Sequence, residues 1–547
     1  MSYIKNLLFV FILSFLFSCK KENKELLIIN SNTKLLEKKT DLSKSDRLNW
    51  FLKDLFIDSV PGISLNRAFD SLLITNKLKE IIIAVIDSEI DIEHNDLKNN
   101  IWINEDEIPN NNIDDDKNGH IDDVNGWNFL GNSKGENNSF TNYSYTRVLK
   151  KLSTKYGNKE NLVVIDSAEY KNYLRAQKKY ESQLKYANNE VEYANMINNS
   201  LTNVEKHLSS YFPEKKYDIN SLDSLKLVYP NDKKLQETIL IKSNFIKFGF
   251  SRNYINDYKL KADKRISKLL NLTFNNRKVI GDDPEDINDI NYGNHLVSKN
   301  IDVFKHGTEI AGTILSVNKQ NIKIMPVCIS PYGDETDKDI AVAIKYAVDN
   351  GAKIINMSFG KEFSSHKEWV FDAIKYAEKH DVLIVSSAGN SGYNLNNNNN
   401  YYPNDNVNNG KQVSNNFLLV GGISSKLNNK LLYSNSNYGN IDVDLLAPAV
   451  DIYTSFPSNK NDYDTGTSLA SAITSGVASF IYQNQPKLKV SEIKNILMDS
   501  GLELTLKVNT PSKDNENKTT PINQLSKSGK VLNVYNALIL ADSIARR

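Results

Sequence analysis

The sequence predicts an α/β fold, in which a mainly parallel sheet is covered by helices on both faces and is interrupted by an inserted long helical hairpin. Short, continuously apolar runs are typical of strands that are buried on both faces. Such runs occur at residues 81–86, 324–329, 353–357, 382–385, 417–420 and 443–446. Between them lie stretches such as 338–349 and 367–379, where apolar residues recur at intervals of three and four. Strands that alternate with helices indicate a parallel sheet.

Composition narrows the classes of protein that this chain can belong to. Among 547 residues, 67 Lys and Arg face 66 Asp and Glu, and the net charge is +1. A balance this close to zero provides no bulk field toward nucleic acid, so we expect no nucleic-acid partner. The hydrophobic fraction of 40% excludes a disordered chain, and two cysteines are too few for a disulfide framework.

The amino terminus has the pattern of an export signal. Lys5 precedes an apolar run at 7–17, which is too short to cross a bilayer, so we interpret residues 1–18 as a signal peptide. The run ends at Cys19 in a pattern that resembles a bacterial lipobox, which predicts lipidation of that sulfur. We therefore expect an outer membrane lipoprotein, on the periplasmic side or the cell surface. The alternative is a secreted protein with an incidental cysteine. Residues 19–47 are a polar tether.

A long segment interrupts the alternation of strands and helices. We place the first part of the α/β domain at 48–144 and the second at 273–547. Residues 145–272 are rich in Tyr, Lys and Asn, and apolar residues recur at three and four from Tyr173 to Leu208. A second helical stretch at 234–270 and a turn around Pro230 predict an antiparallel, coiled-coil-like hairpin. Its role is open between a stabilising arm and a surface for a protein partner.

Four polar residues stand where the predicted sheet would gather them. Asp87 follows a buried strand, where a carboxylate is costly unless it is paired. Asn390 lies in a glycine-flanked turn directly after another strand. His306 and Ser468 each lie near the start of a helix, and Gly466 precedes the serine in a tight turn. Each has an ordinary structural role by itself, as a turn former, a cap or a hydrogen-bond donor.

Together these four residues change the interpretation, because Asp, His and Ser in this order form one of the known serine-hydrolase arrangements. The surrounding motifs resemble the subtilase family of subtilisin-like serine peptidases. They are Val-Ile-Asp-Ser at 85–88, His-Gly-Thr at 306–308, Ala-Gly-Asn at 388–390 and Gly-Thr-Ser-Leu-Ala at 466–470. The resemblance covers 49–132 and 279–545. It implies a triad of Asp87, His306 and Ser468, with Asn390 in the oxyanion hole.

The resemblance also implies a substrate class. Residues Ser358, Phe359 and Gly360 are similar to the family's substrate-binding edge, where an extended polypeptide adds as a strand. We therefore expect a serine endopeptidase that hydrolyses peptide bonds. Glu89 and Glu309 depart from the family's usual residues, so the alternative is a catalytically silent binding lipoprotein of the same fold. The absence of a Gly-x-Ser-x-Gly motif around Ser468 argues against an esterase.

An acidic loop predicts a structural calcium site. Oxygen-bearing side chains alternate along the loop, with a glycine at its sixth position, as in loops that wrap Ca²⁺. The predicted ligands are Asp114, Asp116, Asn118, the backbone carbonyl of His120, and Asp122. Asn125 stands where a helix–loop–helix site has Glu, so the match is partial. The alternative is an acidic turn that is satisfied by water.

Overall fold

The computed structural model describes residues 42–72, 78–157, 167–212, 217–397, 401–408, 411–511 and 518–546. The predicted signal peptide and Cys19 therefore lie outside the described residues. Within the described part of the chain, no helix combines the length and the apolar character needed to cross a membrane.

Fifteen strands lie in the described ranges. In chain order they are β1 Ile81–Asp87, β2 Trp127–Asn128, β3 Ile322–Cys328, β4 Ile354–Met357, β5 Leu383–Ser387, β6 Asn406–Asn408, β7 Lys411–Gln412, β8 Phe417–Ile423, β9 Leu445–Pro448, β10 Ile452–Phe456, β11 Lys460–Asp464, β12 Leu502–Glu503, β13 Lys507–Asn509, β14 Thr519–Pro521 and β15 Lys530–Val531.

Nine of these strands form one sheet in the order β12-β15-β9-β8-β5-β4-β1-β3-β2. Every neighbouring pair is parallel except β12 with β15 at the edge. In the register of the central strands, Ile86 lies opposite Met357, and Met357 lies opposite Ser386. The residues that follow β1, β4 and β5 therefore emerge side by side at one edge of the sheet.

Fourteen α-helices accompany the strands. They are α1 Lys44–Leu48, α2 Leu55–Asp58, α3 Leu65–Ser71, α4 Ser144–Tyr156, α5 Ala168–Leu208, α6 Ile219–Val228, α7 Lys233–Lys247, α8 Arg252–Lys264, α9 His306–Val317, α10 Asp337–Asp349, α11 Lys367–Lys379, α12 Thr467–Asn484, α13 Val490–Asp499 and α14 Val534–Ala545.

Helices cover both faces of the sheet, which confirms the predicted fold class. One core joins the sheet to α3, α9, α12, α13 and α14, and a second core joins its other face to α10 and α11. Helix α12 packs tightly on α9 because its residues are small. A Cβ on Gly476 would lie 2.7 Å from Cβ of Val317, so any side chain there would push the two helices apart.

The inserted segment is helical, as predicted, but its course differs from a simple hairpin. Helix α5 has 41 residues, which corresponds to a length of about 60 Å. The returning path consists of α6, α7 and α8 and a π-helical turn at Arg265–Leu269. The second helical stretch predicted at 234–270 is therefore helical over most of its length, but it is broken at 248–251 and is not one continuous helix. The chain breaks at Pro230, which disfavours a continuous helix, and at Gly249, whose φ is 72°.

The structure has a turn at 229–232, where the sequence pattern predicts one around Pro230, and the Asp232 N–H donates to the Tyr229 carbonyl at 3.3 Å. This turn joins α6 to α7, and helix α5 itself ends earlier, at Leu208. Leu208 packs with Leu222 of α6 and Leu235 of α7, which closes the far end of the insertion with its own apolar cluster. The apolar residues Leu222 and Leu225 of the short helix α6 are buried in this cluster.

Candidate active site

Asp87 and His306 form a direct pair at the carboxyl edge of the sheet. Asp87 is the last residue of β1 and is 1% exposed, while His306 is the first residue of α9. The Nδ1 atom of His306 lies 2.8 Å from Oδ1 of Asp87 and 3.0 Å from Oδ2. The backbone N–H of Ser88 donates to Oδ1 at 2.7 Å, and the Ser88 hydroxyl accepts from Gly307 N–H. These contacts hold the carboxylate against the imidazole.

The surroundings of His306 favour its charged form. Burial lowers the pKa of the imidazole, but the Asp87 carboxylate, with help from Glu309 and Asp464, outweighs that effect and raises the pKa to about 9. The side chain remains 40% exposed, so it exchanges protons with solvent. For the nearby Glu309 carboxyl group, burial acts in the other direction and raises the pKa to about 7. Lys305 pairs with this carboxylate at 2.8 Å.

Ser468 lies in the first turn of α12 and is held at the same edge of the sheet. Its hydroxyl donates to the backbone carbonyl of Ser358, the residue that follows β4, at 3.0 Å. The Ser358 hydroxyl in turn donates to the Ser468 carbonyl at 3.1 Å. Among the described residues, no hydrogen bond joins Ser468 to His306. Gly466 is extended, with φ at 170°, and it is the N-cap of α12, where its carbonyl accepts from the Leu469 N–H at 3.1 Å.

Asn390 lies three residues after β5 and faces the start of α12. Its Oδ1 atom accepts from the backbone N–H of Thr467 at 2.9 Å and from the Thr467 hydroxyl at 3.0 Å. The amide nitrogen of Asn390 makes no hydrogen bond within the described ranges, and the residue is exposed. A helix also leaves the N–H groups of its first turn unpaired, and that of Ser468 is one of them. The site thus offers two donors for an anion.

Glu89 fills a position where the family pattern has glycine, and the structure gives it a defined role. It lies outside the residues with positive φ, so a side chain is tolerated there. Its buried carboxylate accepts from the side-chain amides of Asn300 at 2.8 Å and Asn137 at 3.0 Å, and also from the backbone N–H of Asn300. The departure at Glu89 therefore links the turn after β1 to two loops.

Tyr401 is a neighbour of the site that the sequence pattern did not indicate. Its ring lies between the turn after β4 and the turn after β5. A Cβ on Gly360 would lie 2.5 Å from its ring, and a Cβ on Gly389 would lie 2.1 Å from its hydroxyl. The adjacent Tyr402 exchanges two backbone hydrogen bonds of 2.8 Å with Lys361, which holds this segment against the Ser358–Gly360 turn. The Tyr401 ring therefore occupies the space between the two turns.

The acidic loop brings together a different set of carboxylates from the predicted one. Oxygens of Asp114 and Asp116 approach those of Glu107, which was not predicted, to within 4.8 Å. The Asp122 carboxylate instead accepts from the backbone N–H groups of Asn111 and Asn112. Glu107 bonds the backbone N–H of Asp115 at 2.8 Å. No spacing rule marks Glu107, since it precedes the alternating pattern.

Two side chains behind this loop, His120 and Asp123, are largely shielded from solvent, and burial shifts the pKa of each toward its neutral form. The ring of His120 lies 4.7 Å from that of Trp127, and burial lowers the pKa of His120 to about 4. Burial raises the pKa of Asp123 to about 6, although the Tyr346 hydroxyl and the Asn104 amide donate to it. The remaining predicted ligand, Asn118, donates its amide to Asp116 at 2.9 Å. Carbonyl and carboxylate oxygens in such a loop are the donors that Ca²⁺ prefers.

The fold is that of an α/β protein with a mainly parallel sheet. At one edge of this sheet a carboxylate pairs with an imidazole, and a serine at the start of a helix lies at the same edge. The chain belongs to the subtilase family, whose family model matches residues 78–525. It is 30% identical to subtilisin DY of Bacillus licheniformis over 216 residues, which is 38% of this chain and 74% of that protein. This match agrees with the resemblance found in the sequence motifs.

Other relatives share only a part of their length with this chain. The chain is 29% identical to the cell wall-associated protease of Bacillus subtilis (strain 168), over 39% of this chain and 23% of that protein. It is 32% identical to the thermophilic serine proteinase of Bacillus sp. (strain AK1), over 36% of this chain and 44% of that protein. A solved structure of a cold adapted subtilisin-like serine proteinase aligns at 25% identity with a TM-score of 0.33, over 42% of this chain and 74% of that one.

Proposed function

We propose that this chain is a serine endopeptidase that cleaves extended polypeptides. The observation that carries the proposal is the 2.8 Å contact between His306 Nδ1 and Asp87 Oδ1 at the sheet edge where Ser468 also lies. In this role Asp87 holds the imidazole with its proton on Nδ1, which leaves Nε2 as the base. Asp87 also stabilises the imidazolium that forms when the base accepts a proton.

Ser468 is the nucleophile in this proposal. Its hydroxyl donates to the Ser358 carbonyl in the resting arrangement, so rotation about its Cα–Cβ bond is needed to direct the proton to His306. The Oγ atom then attacks the scissile carbonyl while His306 takes the proton. His306 returns that proton to the amine as the C–N bond breaks, and water repeats the sequence to release the acyl group.

Charge that develops on the carbonyl oxygen requires donors. The free amide nitrogen of Asn390 and the N–H of Ser468 are suited to this task, because Thr467 already occupies the Asn390 oxygen. One such donor contributes about 10²–10³ to kcat. The substrate would lie along Ser358, Phe359 and Gly360, and the side chain next to the cleaved bond would approach Tyr401.

A serine-directed fluorophosphonate probe tests the proposal. We expect covalent labelling of the wild type and none of Ser468→Ala, and either Ser468→Ala or His306→Ala should lower kcat by about 10⁶. Ser475→Ala is a matched control that should be labelled like the wild type, since this serine lies two helical turns further along α12 and its hydroxyl donates to Oδ1 of Asn356 at 3.0 Å. A folded wild type that stays unlabelled in the presence of Ca²⁺ would instead support a catalytically silent binding lipoprotein.

We further propose that Ca²⁺ binds the acidic loop as a structural ion. Support comes from the three carboxylates Glu107, Asp114 and Asp116, which converge within 4.8 Å and repel one another without a cation. Asn104 connects Asp116 to Asp123, behind the loop, through its amide. A cation would stiffen the loop that leads from Trp102, whose backbone N–H pairs with Ile324 of β3.

Export and lipidation remain part of the proposal. The lipobox-like pattern at Cys19 supports attachment of lipid to its sulfur and retention on a bacterial outer membrane. Metabolic labelling with an alkyne fatty acid tests this directly, and we expect incorporation in the wild type that is lost in Cys19→Ser. Equal labelling of both proteins, or labelling of neither, would support a secreted protein instead.

A further inference from the structure

A row of aromatic side chains lies on the surface of the helical insertion. It consists of Phe248, Phe250, Tyr254, Tyr258 and Tyr193, which we call the aromatic stripe. Consecutive ring centroids lie 6.5, 5.5, 6.4 and 6.3 Å apart, and the rings of Tyr254 and Tyr258 are within 2° of parallel. Phe248 is 73% exposed, Tyr254 50% and Tyr193 45%. Burying this apolar area would be favourable.

The stripe borders the core of the insertion, because Phe250 and Tyr258 are partly buried against it, whereas Phe248, Tyr254 and Tyr193 are exposed. Helix α8 meets α5 through Ile255 and Ala262, which are fully or almost fully buried. Ile255 packs against Ile197 and Leu201 of α5. The stripe residues of α8 recur at intervals of four, so they line one side of the helix beside that buried face. Tyr258 contributes to the packing of the arm, whereas the ring of Tyr254 lies outside this cluster.

The end of α8, six residues beyond Tyr258, is joined to the loop before His306 by a chain of contacts. Lys264, at the end of α8, lies 5.8 Å above the ring of Phe140. Phe140 stacks on Tyr332 at 5.5 Å, and Tyr332 lies 5.3 Å from Phe304. Phe304 is two residues before His306. These contacts connect the end of α8 to the loop that carries the imidazole.

The inserted segment as a whole carries a positive net charge. Residues 145–272 contain 24 Lys and Arg against 14 Asp and Glu, whereas the remainder of the chain has 43 against 52. At the inner end of α8, Lys264 has no ion pair within the described ranges, and the Lys261 side chain is 58% exposed although Asp257 pairs with it. An acidic chain is therefore attracted more strongly to the arm than to the rest of the surface.

We propose that the aromatic stripe is a docking surface for the polypeptide substrate, and that it recognises extended segments carrying aromatic and acidic side chains. This inference rests on the proposed peptidase function. The stripe binds a part of the substrate that lies far from the bond being cleaved. It therefore adds binding energy for long substrates and none for short ones. The side chains of the substrate stack on the rings, and its carboxylates lie near Lys261 and Lys264.

Two substrates of different length test the proposal. The long substrate is reduced and carboxymethylated α-lactalbumin, an unfolded acidic protein, and the short one is an eight-residue fluorogenic peptide. In the double variant Phe248→Ser/Tyr254→Ser we expect KM for the long substrate to rise about tenfold, a typical effect of removing exposed interface aromatics. The kinetics of the short peptide should not change.

A matched double variant controls for the loss of surface aromatics. Phe56→Ser/Tyr229→Ser removes one exposed Phe and one exposed Tyr that lie outside the stripe, and KM for both substrates should stay at the wild-type value. The charge reversal Lys264→Glu should raise KM for the long substrate as well, with an effect that shrinks at high salt.

Unchanged KM for the long substrate in Phe248→Ser/Tyr254→Ser overturns the proposal. Normal cleavage of the short peptide by the same variant shows that the variant is folded. If the wild type cleaves neither substrate, the peptidase function fails, and docking is then measured separately by fluorescence anisotropy of labelled α-lactalbumin with Ser468→Ala protein. Sedimentation velocity and vesicle flotation identify a second copy or a lipid surface as the occupant, and either result refutes a substrate surface.

Discussion

Asn390 accepts two hydrogen bonds from a single residue, Thr467, through its Oδ1 atom, at 2.9 Å from the backbone N–H and 3.0 Å from the hydroxyl. Because both bonds use the oxygen, the amide nitrogen is left as a donor beside the first turn of α12. The Thr467 hydroxyl also accepts from Gly389 N–H at 3.1 Å. Thr467 thus orients the carboxamide, and it does so from a position directly before the candidate nucleophile.

This arrangement predicts a selective loss of kcat in Asn390→Ala. We expect kcat to fall by about 10²–10³ with KM nearly unchanged, because the donor acts on charge that appears only in the transition state. Steady-state kinetics on a short peptide measure both quantities. Thr467→Ser keeps the hydroxyl and should stay close to wild type. A large rise in KM in Asn390→Ala, with kcat preserved, would contradict the oxyanion role.

The pKa of His306 predicts an alkaline activity profile. The imidazole must be neutral to act as a base, and its pKa is raised to about 9, so kcat/KM should increase as the pH rises toward 9. Glu309→Gln removes a negative neighbour and should move this limb to lower pH. The exposed Glu237→Gln is the control, and an identical profile for Glu309→Gln and wild type would refute the electrostatic explanation.

The raised pKa of His306 also predicts that the stability of the folded protein decreases as the pH rises. Since the pKa of His306 in the folded protein lies above its unfolded value of about 6.5, the proton bound to the native state stabilises the fold. This contribution is complete below about pH 6.5 and is lost as the pH rises through about 9. Urea denaturation of wild type and His306→Gln across this range should show a difference in unfolding free energy that shrinks with pH.

Calcium removal is expected to destabilise the protein. At a Ca²⁺ concentration of 100 times Kd, binding to the native state contributes about 2.7 kcal/mol to the free energy of unfolding. Thermal melts with Ca²⁺ and with a chelator should therefore differ in the wild type and coincide in Asp114→Asn/Asp116→Asn. Asp115→Asn is a matched control, because the Asp115 carboxylate accepts from Asn111 and Ile108 and stands outside the cluster. An equal chelator effect in both variants would refute this site.

Tyr401 predicts a preference for small side chains next to the cleaved bond. Its ring occupies the space between Gly360 and Gly389, so a large side chain has little room there. Tyr401→Ala should raise kcat/KM for a peptide with Phe at that position by about tenfold relative to one with Ala. Tyr433→Ala provides a comparison at another tyrosine. If the ratio of the two kcat/KM values does not change in Tyr401→Ala, the side chain next to the cleaved bond does not contact Tyr401.

A buried ion network predicts a large loss of stability in Arg277→Met. The guanidinium is 4% exposed and bonds Asp282 at 2.6 Å and Asp339 at 2.7 Å. Removing it leaves two buried carboxylates with fewer partners, at a cost of about 3–5 kcal/mol in unfolding free energy. Arg546→Met breaks an exposed pair with Asp542 and should cost less than about 1 kcal/mol. Chemical denaturation measures both, and similar losses would contradict the argument.

The strands and the main helices of the α/β domain were predictable because their signals are local. A run such as Ile81–Asp87 has six consecutive apolar residues, and α10 and α11 show apolar residues at helical spacing. The insertion was predicted less well. Its helical character follows from periodicity, but the division of the returning path into α6, α7 and α8 depends on which apolar faces meet α5, and that is a matter of packing.

The sequence by itself determined the order of the motifs, the fold class and the residue types available for chemistry, since these depend on neighbours along the chain. The motifs already implied that Asp87 pairs with His306, 219 positions away. Only the tertiary structure decided that Glu107 joins Asp114 and Asp116, and that Tyr401 fills the space between two turns. The physical reason is that strand order and close packing set these contacts, and neither leaves a periodic trace in the chain.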